Sequence, residues 1–101
     1  MGVEYSARII VGLPYDELGE YLEGVEDVYQ HVEDSGLYVV SPYYDADYQD
    51  CLFGVLVQKC YDYSYSEVDE SKWPETVAAA HKWFTERTGK VGKLYLSTYG
   101  S

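Results

Sequence analysis

Two long strand-like segments, each followed by a helical pattern and a further strand, restrict this chain to few folds. The first covers residues 3–11, where apolar side chains alternate with Glu4, Ser6 and Arg8. The second covers residues 51–60 and is dense in valine, leucine and phenylalanine, which favour strands. Because they are the most apolar strands of the chain, both are expected to occupy the centre of a sheet.

Weaker patterns lie between these two strands. We expect the Gly-Leu-Pro segment at residues 12–14 to end the first strand, and residues 15–23 to form a short amphipathic helix with acids in its first turn. Residues 25–34 fit either a helical stripe or one arm of a hairpin. Residues 37–44 predict another strand, and residues 43–50 have the composition of a polar, aromatic turn.

The remainder of the chain predicts a helix and a last strand. The alternation of the second long strand continues through Tyr61 and Tyr65, and an acidic loop follows. Ser71 is expected to cap a helix that ends at Gly89. Residues 93–99 alternate leucine with tyrosine and serine, which predicts the final strand.

The order strand, helix, strand, strand, helix, strand predicts an α+β fold of the ferredoxin-like type. In this βαββαβ arrangement, a split βαβ sandwich, an antiparallel sheet carries two helices on one face. The sequence does not decide whether an extra short strand is present, because residues 25–34 fit both a helical and a strand pattern. A length of 101 residues suits one hydrophobic core, so residues 1–101 are predicted to form a single domain.

The formal charge of −11 argues against several classes of function. A surface of this sign repels phosphate backbones and anionic lipids, so direct binding of nucleic acid or membranes is not expected. The chain has no apolar run that could span a bilayer, and its first residues lack the form of a secretory signal. We therefore expect a soluble, cytoplasmic protein, located in the cytoplasm of a host cell if a phage encodes it.

No motif identifies a reaction, so the chain is predicted not to be an enzyme and to use no cofactor or metal. His31 and His81 are far apart in sequence, and the acidic turn at residues 45–50 departs from a calcium loop. Cys51 and Cys60 are expected to be reduced thiols, because an extended segment holds them beyond disulfide reach. A hydrolase that uses a carboxylate pair or Cys51 remains a third hypothesis without a supporting constellation.

Acids and tyrosines concentrate in the first two thirds of the chain. Between Ile9 and Gln58 there are eleven acids and no lysine or arginine, and ten of the thirteen tyrosines lie between Tyr15 and Tyr65. Tyrosine gives contact area at low entropic cost, and carboxylates pair with arginine or lysine of a partner. The residues predicted to bind a partner are Asp16, Glu17, Glu20, Glu23, Glu26, Asp27, Tyr43, Tyr44, Asp45, Asp47, Tyr48, Asp50, Asp62 and Tyr63.

This composition predicts an inhibitor that imitates nucleic acid. Duplex DNA carries one charge per ~1.7 Å of its axis, so a protein that replaces DNA needs many carboxylates and few bases on its contact face. The predicted partner is a basic nuclease or another nucleic-acid-binding protein. In size and charge the chain resembles small acidic phage inhibitors of host defence, such as anti-restriction and anti-CRISPR proteins, although no motif carries this resemblance.

Two other interpretations stay open. The first is a small regulatory domain that self-associates, because Tyr61, Tyr63, Tyr95 and Tyr99 can line the sheet face that the helices leave open. Such a face would pair with a second copy and give a homodimer. The second is that the acids keep a small domain soluble while the tyrosines cover a thin core.

Overall fold

The described residues form a sheet of four strands, and all neighbouring strands run antiparallel. The computed structural model describes residues 5–41, 47–61 and 64–100. The strands are β1 (Tyr5–Pro14), β2 (Tyr38–Val40), β3 (Leu52–Tyr61) and β4 (Lys93–Gly100). They lie in the order β2-β3-β1-β4, so β1 and β3 occupy the centre, as predicted.

Two crossover segments connect these strands. The first crossover, residues 15–37, joins β1 to β2 and contains α1 (Tyr15–Leu18), a 3₁₀ turn (Gly19–Tyr21) and α2 (Val28–Asp34). The second crossover joins β3 to β4 and contains α3 (Trp73–Thr88). This topology is the split βαβ arrangement of ferredoxin-like folds, which confirms the predicted fold class.

The helices of both crossovers pack into one core on the same side of the central strands. Leu18, Val32 and Phe84 from the helices belong to one buried cluster with Val11 and Phe53 from the sheet. Each of these side chains is fully buried, and each such burial contributes about 1.5–3 kcal/mol relative to an exposed side chain. Both crossovers therefore cover one face of the sheet, as predicted.

The pairing of β1 with β3 contains a β-bulge. Ile9 lies opposite Gln58 and Ile10 lies opposite Leu56, so Val57 is an extra residue on β3. Because side chains alternate between the two faces of a sheet, the extra residue reverses the alternation of β3. Odd-numbered residues of β3 face the helices before the bulge, and even-numbered residues face them after it.

The start of the first crossover differs from its predicted form. The segment at residues 12–14 does not end β1, because it pairs with residues 52–54 of β3 and the ladder keeps it extended. Residues 15–23 do not form one continuous helix. Gly19 adopts a positive φ of 47° with a ψ of −113°, which ends α1 after four residues.

The ambiguous segment at residues 25–34 forms α2 and no strand. Asp27 starts this helix, because its carboxylate accepts the backbone N–H of Gln30 at 3.1 Å. Val28 and Val32 are buried one turn apart, so the helical stripe was the correct pattern. The extra short strand that the sequence left open is therefore absent from this segment.

Two further predictions need correction. The second strand spans three residues, Tyr38–Val40, and not residues 37–44, of which residues 42–44 lie outside the described residues. Ser71 does not cap α3, which follows Lys72 without a side-chain cap. The Ser71 hydroxyl instead donates to the carboxylate of Asp69 at 2.7 Å, and this bond is the main cause that lowers the pKa of Asp69.

Candidate protein-binding surface

The start of the first crossover forms a shallow groove. α1 begins directly after β1, because Pro14 is still extended, and Gly19 turns the chain after one helical turn. The groove has a volume of about 490 Å³ and is lined by Tyr15, Asp16, Gly19, Glu20, Leu22 and Glu23. We call it the acidic groove.

Three exposed carboxylates line the acidic groove, those of Asp16, Glu20 and Glu23. No ion pair joins any of them to a base in the described part of the chain. The Lys90 ammonium lies at the rim, 4.0 Å from the position that a β-carbon on Gly19 would take. Carboxylates that share a groove repel one another, so a cationic side chain from another molecule would bind there favourably.

Glu17, the neighbouring acid of α1, already has a partner. Lys93 Nζ donates a hydrogen bond to Glu17 Oε1 at 3.0 Å, and both side chains are exposed. The hydrogen bond and the charge of Glu17, followed by the charge of Tyr95, raise the pKa of Lys93 above its ordinary value of 10.5. Glu17 is therefore less available to a partner than the three groove carboxylates.

Two other predicted acids support the local backbone. Asp27 caps α2, as described above, and Asp47 accepts the backbone N–H of Tyr48 at 3.1 Å. The second bond starts a 3₁₀ turn at Tyr48–Asp50. Because these carboxylates already accept hydrogen bonds, their presence is explained by the fold without any partner.

Three tyrosine rings connect the first crossover with the turn Tyr48–Asp50. The ring centroids of Tyr15 and Tyr48 are 5.2 Å apart, and those of Tyr29 and Tyr48 are 6.2 Å apart and nearly perpendicular. Tyr29 is exposed, so this cluster presents aromatic surface beside the acidic groove. The sequence did not single out Tyr15 or Tyr29, because their helical pattern gives no sign that they converge on Tyr48.

Five predicted binding residues lie outside the described residues, namely Tyr43, Tyr44, Asp45, Asp62 and Tyr63. Of the others, the acidic groove brings Asp16, Glu20 and Glu23 together. Asp47, Tyr48 and Asp50 lie on the turn that contacts α1 through the Tyr15 ring. Glu26 and Asp27 are exposed on the loop before α2 and do not line the groove.

Charge is unevenly divided between the helical side and the central strands. Residues 15–34 carry eight acids and no lysine or arginine, and residues 47–50 add two acids. All ten acids are exposed. The central strands carry Arg8 and Lys59, which lie opposite each other on the sheet face away from the helices. The first crossover is therefore strongly anionic, as the sequence predicted.

Tyrosines and cations share the sheet face away from the helices, where Ile10 and Arg8 are buried. The Arg8 guanidinium lies 5.3 Å from the centroid of the Tyr38 ring, and the Lys59 ammonium lies 4.6 Å from that of Tyr61. The strand register places Tyr95 on the same face, opposite Ile10. The contacts of Arg8 with Tyr38 and of Lys59 with Tyr61 are attractive cation–π contacts within the chain.

The two cysteines are free thiols, as predicted. Cys51 is buried, and its Sγ donates to the backbone carbonyl of Asp47 at 3.4 Å. Among the residues that the structure describes, no three histidine, cysteine or acidic side chains come together to hold a metal ion. No helix in the same ranges combines the length and the apolar character needed to cross a membrane.

The fold and this surface together define a small acidic α+β protein of the ferredoxin-like type. No protein-family model, curated protein or solved structure matches the chain. The acidic groove and the charges around it are therefore the features of this chain that bear on its function.

Proposed function

We propose that this protein is a non-enzymatic inhibitor that binds the basic, nucleic-acid-binding site of another protein. The observation that supports this function best is the acidic groove, where Asp16, Glu20 and Glu23 lie beside the Tyr15 ring without a base paired to them in the described ranges. An inhibitor of this kind would act in the cytoplasm, and in the cytoplasm of a host cell if a phage encodes it.

The binding mechanism follows from the chemistry of the groove. Arginine presents a planar fork of N–H donors that matches a carboxylate, and its guanidinium also stacks on aromatic rings. An arginine that normally contacts a phosphate can therefore contact Glu20 or Glu23 and stack on Tyr15. The eight acids of residues 15–34 accelerate the encounter through long-range attraction. Salt screens this attraction, so association slows as the ionic strength rises.

A charge-reversal pair tests the proposal. We suggest Glu20→Lys with Glu23→Lys, which changes the formal charge from −11 to −7 and places two cations in the groove. Tagged wild-type and variant proteins are used to capture partners from a bacterial lysate at low salt, and bound proteins are identified by mass spectrometry. Wild-type protein is expected to capture a nucleic-acid-binding protein that duplex DNA and high salt release, and the variant is expected to lose it.

A second pair, Glu70→Lys with Glu75→Lys, is the matched control. It changes the formal charge by the same amount but lies at the start of α3. The groove lies near the other end of this helix, where Lys90 approaches Gly19. A helix of 16 residues is about 24 Å long, so the control substitutions lie far from the groove. The control is expected to retain the partner. Equal loss in both pairs, or capture that DNA does not reverse, would contradict nucleic-acid mimicry.

A second candidate function is self-association through the sheet face away from the helices. Tyr61 is largely exposed there, and Tyr38 and Tyr95 share that face. A second copy that covers these rings would give a homodimer. Replacing Tyr61 and Tyr95 by serine is expected to convert such a dimer into a monomer in light scattering, and a wild-type monomer would eliminate this candidate.

A further inference from the structure

β4 forms a long edge of the sheet in the part of the chain that the structure describes. The two edge strands in the described ranges are β2, with three residues, and β4, with eight residues. β4 pairs with β1 on one side, and no described strand pairs with it on the other. The outward N–H and C=O groups of such an edge are a template for another strand.

The side chains of β4 make this edge apolar on one face. The register places Leu94 opposite Val11 and Leu96 opposite Ile9, on the face that the helices cover. However, α3 packs over β3 and β1, and Leu94 and Leu96 remain 49% and 76% exposed. These two side chains form an apolar ledge beside α3.

We propose that the ledge and the edge of β4 bind a second copy of this chain, with the two β4 strands antiparallel about a twofold axis at Leu96. The four-stranded sheets would then join into one sheet of eight strands. In this register Leu96 faces Leu96 of the partner subunit, and Leu94 faces Thr98 of the partner subunit. On the other face Tyr95 lies across from Ser97 of the partner subunit. No acids meet, and apolar pairs across strands stabilise a sheet.

The charge distribution favours a second copy at this edge. Two molecules with a formal charge of −11 each repel one another, so they can associate closely only where carboxylates are scarce. Residues 87–100 contain Arg87, Lys90 and Lys93 and no acid. The Arg87 guanidinium lies 4.4 Å from the ring centroid of Trp83, and Lys93 pairs with Glu17, so two of these cations already have partners.

A charge swap at Leu96 tests both the surface and the symmetry. A charge placed at a residue on the twofold axis meets its own copy, so Leu96→Lys and Leu96→Glu are each expected to be monomers. An equal mixture of the two variants is expected to form dimers, because lysine then faces glutamate. Wild-type protein and the control Val68→Lys, which changes an exposed apolar residue of the loop before α3, are expected to be dimers.

The readout is molar mass from light scattering coupled to size-exclusion chromatography, with protein loaded at about 100 μM and about 1 μM. Circular dichroism verifies that each variant is folded. Because the Leu96 side chain is largely exposed, its substitution is expected to leave the fold intact. A wild-type monomer at the higher concentration would overturn the proposal. So would a dimer that survives either substitution, or a mixture of the two variants that stays monomeric.

Hydrogen exchange of the wild-type protein is an independent measurement that requires no substitution. The outward amides of β4 are expected to exchange more slowly at the higher concentration, whereas those of β2 are expected to be unchanged. Concentration-independent exchange in β4 would contradict the proposed dimer. The acidic groove takes no part in this interface, so the dimer and the proposed inhibitor function can fail separately.

Discussion

The two crossovers occupy equivalent positions in the fold and are built in opposite ways. The first breaks into α1, a 3₁₀ turn and α2, with four, three and seven residues, whereas α3 in the second is one helix of 16 residues. Residues 15–34 carry eight acids and no lysine or arginine. In contrast, α3 contains two acids, one lysine and one arginine. The charged side chains of residues 15–34 are all negative, whereas those of α3 have both signs.

This difference shows that the anionic surface depends on the core beneath it. Helices shorter than about 12 residues are marginal in isolation, and like charges on them repel. The short helices of the first crossover are therefore held by buried residues such as Leu18, Leu22 and Val32. α3 gains more from its own length and from alanines at residues 78–80, which favour helices.

The largest expected effect tests this shared core. Phe84 of α3 is fully buried and belongs to the cluster that also holds Leu18 and Val32. Phe84→Ala should lower the free energy of unfolding by about 3–5 kcal/mol, because it removes apolar contacts and leaves a cavity under both crossovers. Urea unfolding followed by circular dichroism measures the loss. A change under about 1 kcal/mol would contradict the burial of Phe84 in this core.

A smaller effect tests whether an acid of the first crossover is structural. Asp27→Ala should destabilise the protein by about 1 kcal/mol, because the side chain no longer accepts the Gln30 N–H at the start of α2. Asp27→Asn keeps an acceptor and should retain most of the stability. Urea midpoints distinguish the two variants. If asparagine destabilises as much as alanine, the charge of Asp27 matters and not its capping bond.

The ion pair between the first crossover and β4 should give a smaller, pH-dependent effect. The folded pKa of Lys93 is raised above 10.5, so the stability from its charge is fully present below 10.5 and is lost as pH rises through the folded pKa. Glu17→Gln should therefore lower the melting temperature slightly at neutral pH and not at strongly alkaline pH. Thermal scans of both proteins across this range provide the comparison. A difference that is constant with pH would contradict the ion pair.

The smallest effect should be a gain in stability in the first crossover only. Glu20→Gln with Glu23→Gln relieves repulsion in the acidic groove, so stability should rise by up to about 0.5 kcal/mol at low salt. Glu75→Gln should give no gain, because Glu75 lies in the first turn of α3, where the helix dipole favours an acid. Denaturant titrations at two salt concentrations measure both. A gain for Glu75→Gln would contradict this difference.

The parts of the fold that follow local periodicity were predictable from the sequence. Helical spacing predicts the buried stripe of α3 that contains Phe84. Alternation of apolar and polar residues predicts the central strands, and the two patterns together predict the order of the elements. The interruption at Gly19 was not predictable, because the helical pattern of residues 15–23 continues through it. The extension of β1 through Pro14 was also missed, because it depends on pairing with Leu52, far along the chain.

The candidate site was predictable in composition but not in arrangement. A run of acids without bases implies exposed carboxylates, and all those described in the first crossover are exposed. Which acids share a groove depends on the turn at Gly19, and which tyrosines meet depends on the turn at Tyr48. The capping role of Asp27 depended on a helix that the sequence left undecided.

The β-bulge at Val57 determines which face the end of β3 presents. If the same residues formed a regular ladder without the bulge, those after Val57 would turn over, and Lys59 and Tyr61 would point beneath the helices. Burying a lysine in this core would oppose folding. Single-residue insertions and deletions should therefore be tolerated between Ser64 and Ser71, where the chain is exposed, but selected against within β3 away from the bulge.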